Sequence, residues 1–276
     1  MSDKSKTRLA HLAPILASLL FGTLCASLIK SSSMEPFPVA PFSEETFGFF
    51  GSFGNAFYFV ILVGIGATLL YLLLKRRSNR LIMMLTGFAL TTAVFMLSIV
   101  YMSAALAGFD IPYADAIVVI PALTITALAI YAVFRNNYRL ANVTVLGIGG
   151  ALGAFLGFSI PTESTVLILS FLAVYDAFAV YRGPVGKIAH RGLDQLRGLS
   201  FSFKDIQMGL GDLTFYSMLS GHMLLSYGLF SCLASVVGIL AGCILSFKML
   251  EKKEVFPGLP FPIAFGLAAG FLASLL

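Results

Sequence analysis

Asp176 and Asp212 lie inside long apolar runs, and they are the residues from which chemistry can begin. An ionisable side chain within a membrane helix costs about 2.5 to 3.5 kcal/mol at mid-helix on the insertion scale, so each is a functional residue by default. Two carboxylates that share a site do not both ionise cheaply, and such a pair holds one proton between them. That arrangement suits peptide hydrolysis. The ionised member takes a proton from water attacking the carbonyl, while the protonated member donates to the carbonyl oxygen and later helps the amine leave. No nucleophilic serine or cysteine, no metal and no cofactor is needed. Taken singly, an intramembrane aspartate serves as readily for proton or cation binding, so a transporter or channel is the rival reading. Asp115 and Asp205 sit near helix starts, where a carboxylate caps free backbone amides.

The elements that must position this pair follow from composition. The 276 residues are 58% hydrophobic and 11% charged, far from the balance of a soluble domain. The charges cluster between apolar runs of the length that a bilayer-crossing helix needs, about 20 residues. The formal charge of +5 is spread over short loops and forms no continuous patch, which argues against nucleic acid as a partner. Cys25, Cys232 and Cys243 fall within apolar runs and show no metal-ligand spacing. The stretch from Leu9 to Ile29 follows Lys4, Lys6 and Arg8 but is longer than a signal-peptide core, and it reads as a retained first helix.

The sequence predicts one all-α membrane domain over 1–276 with nine spans: 9–29, 54–74, 81–106, 113–134, 141–160, 162–181, 206–225, 226–247 and 258–276. A segment of about 182–205 separates the first six spans from the last three. Its Leu193, Leu196 and Leu199 among basic residues fit a short interfacial helix or a flexible loop equally. An N-terminus inside places every basic residue but Lys30 on the cytoplasmic face, seventeen of the 18, and puts the C-terminus outside. Asp176 then stands six residues before Arg182 and Asp212 eight residues after Lys204, about 9 and 12 Å of helix, so the two carboxylates sit at matching height. Four-residue glycine spacing at Gly149, Gly153 and Gly157, at Gly238 and Gly242, and at Gly266 and Gly270 is the pattern of closely packed membrane helices.

Local sequence sharpens the assignment. Asp176 follows Tyr175, Asp212 closes the run Gly209, Leu210, Gly211, and Pro257, Gly258, Leu259, Pro260 stand before the last span. These resemble the YD, GxGD and PAL motifs of the presenilin and signal peptide peptidase family of intramembrane aspartyl proteases, the third with glycine in place of alanine. The glycines before Asp212 remove side chains where a substrate backbone would approach, and the prolines favour an irregular lead-in to the last helix. Tyr175 fits either a hydrogen bond near the pair or simple packing. The resemblance implies Asp176 and Asp212 as catalytic residues, supported by Tyr175, Gly209, Leu210, Gly211, Pro257, Gly258 and Leu259. It further implies transmembrane-helix substrates drawn from the bilayer, no cofactor and no obligatory partner subunits. The orientation and the compact chain look like a microbial, archaeal-type presenilin homologue in a cell membrane.

Overall fold

The computed structural model describes residues 9–32, 34–76, 78–107, 109, 114–134, 138–182, 199–203, 206–251 and 256–276. Nine helices of more than ten residues are found among them. They are α1 (Ala13–Ser31), α2 (Phe49–Lys75), α3 (Asn79–Leu106), α4 (Ala114–Phe134), α5 (Tyr138–Ser159), α6 (Thr162–Tyr181), α7 (Leu210–Tyr227), α8 (Leu229–Leu250) and α9 (Pro260–Ser274). Leu9–Leu12 and Glu44–Phe47 form single helical turns. Seven of the nine are long and apolar enough to cross a membrane, the exceptions being α7 and α9. Together with the large apolar side chains that α2 to α4 leave exposed, such as Ile65, Phe88 and Ile120, they make this a multi-pass membrane protein.

The two exceptions have separate causes. α7 carries Asp212, Ser217, Ser220 and His222, yet every residue from Leu213 to Leu224 except Phe215 is buried. Its neighbours α1, α5, α8 and α9 enclose it, so it need not be apolar enough for lipid. α9 is short, with 15 residues, because Pro257 and Pro260 hold its lead-in out of the helix.

The glycine spacings lie at the seams of this enclosure. A methyl group added at Gly157 would stand 2.6 Å from the Met218 carbonyl oxygen, and one at Gly153 would collide with the Thr214 carbonyl, so α5 and α7 approach backbone to backbone. Gly242 meets Pro262 in the same manner across α8 and α9. At the joint between α7 and α8, Gly228 has φ 94°, a conformation open to glycine and strained for other residues.

Polar ties fasten the end of the bundle remote from Asp176 and Asp212. The Glu44 carboxylate accepts from the Ser52 hydroxyl at 2.8 Å and from the Ser164 amide at 2.9 Å, satisfying a free N–H in the first turn of α6. Asn55 donates to Ser164 Oγ and to the Phe42 carbonyl, each at 2.9 Å. His222 Nδ1 lies 2.8 Å from the Gly157 carbonyl, an obligate acceptor, so Nδ1 carries the proton and Nε2, 3.0 Å from Thr162 Oγ1, accepts from that hydroxyl. Lys30 donates to the Leu224 carbonyl at 3.0 Å, which gives this basic residue, isolated on its side in the charge pattern, a partner near the end of α7.

One boundary differs from the sequence expectation. Residues 206–209 do not open a helix: Ser200–Phe203 (β1) pairs antiparallel with Ile206–Gly209 (β2), Phe201 opposite Met208. The Leu210 amide donates to the Leu199 carbonyl at 2.8 Å, carrying the pairing to the first residue of α7. Leu193 and Leu196, assigned to an interfacial helix or a loop, lie outside the described residues, and Leu199 leads into β1.

The seam between α5 and α7 makes a direct prediction. Gly153→Val should lower stability by about 1 to 3 kcal/mol, the cost of overpacking, while Gly66→Ala, where nothing lies within 4 Å of an added methyl, should not. Thermal unfolding in detergent checks this, and equal melting temperatures for the two variants would contradict the close approach.

Candidate active site

The two aspartates stand on helices of opposite local character. Asp176 lies in the last two turns of α6, which ends at Tyr181, whereas Asp212 lies in the first turn of α7. Gly209 is the N-cap of α7, in extended conformation at the end of β2, so Asp212 is the third helical residue and its carboxylate reaches back toward the Gly209 amide. The matching height expected from helical rise is therefore reached through a strand rather than a turn of helix. Both side chains are half-buried.

α6 and α7 touch each other over a small area only, and α9 packs against both. The lead-in to α9 joins the carboxylates. The Leu259 amide donates to Asp176 Oδ2 at 3.0 Å, and the Gly258 amide faces the same carboxylate. From the other side, a methyl group built on Gly258 would stand 2.6 Å from Asp212 Oδ2 and 3.0 Å from its Cγ. Glycine is thus what lets the Asp212 carboxylate lie against this backbone. Ring stacking of Phe256 on Phe261, 5.8 Å apart and 7° from parallel, braces the segment from both ends. Pro257 and Leu259 are buried.

The remaining sequence-selected residues separate. Among the described residues, a methyl group at Gly209 or Gly211 would meet only the first turns of α7 itself, so neither glycine serves packing between described helices, and both leave space beside Asp212. Leu210 is half-buried and packs toward Ile148 and Gly149 of α5. The Tyr175 hydroxyl reaches α2, where it would stand 3.4 Å from a methyl group on Gly64, and it stays within electrostatic range of Asp176.

Sequence reasoning missed Tyr216. Its side chain is 1% exposed, and its hydroxyl donates to the Gly258 carbonyl at 2.7 Å. The signal was its position four residues after Asp212, which places both on one face of α7.

With two carboxylates and an irregular backbone segment gathered at one point, the arrangement supplies what acid and base catalysis at an amide requires. Comparison with known proteins points the same way. The presenilin family model matches residues 189–276, the stretch that carries Asp212 and the Pro257 segment. Presenilin-B of Dictyostelium discoideum is 29% identical over 161 residues, 54% of this chain, and the match spans about a third of that protein's length, 34%. The solved structure of a presenilin family intramembrane aspartate protease superposes with a TM-score of 0.66 at 21% identity, covering 97% of this chain and 98% of the other. Motif, relative and fold thus agree in their likeness: the last third of the chain matches the presenilin family model, and the whole chain shares the fold of a presenilin family intramembrane aspartate protease.

Proposed function

We propose that this chain is an intramembrane aspartyl endopeptidase that cuts transmembrane helices, with Asp176 and Asp212 as the acid and base pair. The observation that carries the reading is the convergence of both carboxylates on the Gly258–Leu259 backbone. A substrate helix hides each carbonyl behind its own hydrogen bond, so it must unwind locally before water can attack. The open side at Gly209 and Gly211 leaves room for an extended backbone. The unwound strand pairs with exposed backbone near Pro257 to Leu259 and at the adjoining ends of α6 and α7, by β-augmentation. One carboxylate then deprotonates the attacking water while its protonated partner donates to the carbonyl oxygen. The reading requires neither cofactor nor obligatory partner subunit.

On this reading all nine helices cross the membrane of a microbial cell, with the N-terminus and the segment around Lys187 cytoplasmic and the C-terminus external. The bias of basic residues supports it. Tags at Ser2 and near Lys187 should be protected in sealed cells and a tag after Leu276 accessible. Termini accessible from one side would remove the nine-span topology.

The decisive test is at the carboxylates. Asp176→Asn and Asp212→Asn should each abolish cleavage of a transmembrane peptide by purified, folded protein, because asparagine keeps the shape but cannot exchange the proton. Wild-type activity should follow a bell-shaped pH profile whose two limbs belong to the pair. Cleavage at the wild-type rate by either variant would refute the assignment, and carboxylate-dependent ion flux in liposomes without proteolysis would favour a transporter.

Gly258 gives a finer test. Gly258→Ala should slow cleavage about five- to tenfold, equivalent to about 1 to 1.4 kcal/mol of strain if Asp212 is pushed from its rotamer. Gly258→Trp should abolish cleavage in a folded protein. Wild-type rates in both would mean that the backbone at Gly258 does not adjoin the reacting groups.

A further inference from the structure

The hydrogen bond from Tyr216 and the hydrogen bond to Asp176 meet on one peptide unit. The carbonyl that accepts from the Tyr216 hydroxyl at 2.7 Å belongs to Gly258, and the amide that donates to Asp176 Oδ2 at 3.0 Å belongs to Leu259. These are the two polar ends of the peptide bond joining Gly258 to Leu259. The unit is planar and trans, so its C=O and N–H point in opposite directions. A hydrogen bond at each end therefore fixes the tilt of the plane, and the plane links a side chain on the helix of Asp212 to the carboxylate on the other helix. Because Gly258 also lies against the Asp212 carboxylate, the same unit adjoins both acids.

We propose that Tyr216 is a positioning residue for Asp176, acting through the Gly258–Leu259 peptide, so that α7 takes part in setting the register of the dyad. This rests on the protease reading of the site. α6 and α7 touch each other over a small area, so direct helix packing gives that register little support. Hydrogen bonding at the carbonyl polarises the amide and strengthens its N–H as a donor, an effect of about 10 to 30% per bond. The groups facing this unit are Asp176 on α6, Asp212 and Tyr216 on α7, and Cys243 on α8, whose thiol lies beside the Tyr216 hydroxyl. A tyrosine that merely satisfied a buried carbonyl would affect stability and leave the chemical step unchanged.

The test uses the full-length protein in nanodiscs with a transmembrane peptide substrate. Tyr216→Phe should lower kcat about ten- to a hundredfold, the scale of a small misplacement of a reacting group, with KM within about twofold of wild type. In protein labelled with nitrogen-15 leucine, the Leu259 amide proton should move upfield as its bond to Asp176 weakens. Replacing Tyr216 with 3-fluorotyrosine, a stronger donor of the same shape, should move that proton downfield, and it keeps the test open if the phenylalanine variant does not fold. An amide proton unmoved by these replacements, or an unchanged kcat in folded Tyr216→Phe, overturns the inference. If the wild-type protein cleaves no peptide, the protease reading fails, whereas the amide resonance still decides whether Tyr216 controls the bond to Asp176.

Discussion

The architecture depends on one interaction: the bond between a carboxylate that cannot be left bare in a membrane and backbone amides that have no helix to receive them. Asp176 takes the Leu259 amide, one of the free donors that any helix has at its start. Each group is costly alone in a low-dielectric interior, and each relieves the other. The prolines around Gly258 keep the segment from winding into α9, and so preserve the donors that the aspartate needs.

Around this contact the molecule divides into a tight frame and a looser rim. α7 is enclosed by α1, α5, α8 and α9, with glycines at the closest approaches. α2, α3 and α4 expose much of their apolar surface and form the boundary with lipid. α6 belongs to neither group entirely. It packs on α2 through edge contacts of Phe171 with Phe53 and Phe57, and polar ties from Glu44 and Asn55 hold its first turn. Its other end carries Asp176 and is held by the lead-in to α9.

Much of this was legible in the sequence for simple reasons. Asp176 and Asp212 stand out because charge is rare in apolar runs. The glycine seams were visible as a period. The strand pair preceding Asp212 was not recognised, although its first strand, Ser200–Phe203, alternates polar and apolar residues. A four-residue alternation between long apolar segments is too short to outweigh the helical pattern that continues through α7. Tyr216 escaped for a different reason, since its role exists only once α9 is folded against α7. The small contact between α6 and α7 could not be read either: chain order makes them consecutive spans, but tertiary packing inserts the lead-in to α9 between their aspartates.

The unequal lengths of the helices have a consequence for the surrounding lipid. The 15 residues of α9 cover about 22 Å at helical rise, while the 27 of α2 reach about 40 Å. A hydrocarbon slab of about 30 Å matches neither. Acyl chains beside α2 stretch or that helix leans, and where α9 crosses as proposed the bilayer would pinch inward or admit headgroups and water beside it. On the proposed nine-span topology the protein would carry its own gradient of membrane thickness, thinnest beside α9 and the segment of Gly258. Shorter-chain lipids fit that side with less deformation, which makes the host bilayer an element of the structure.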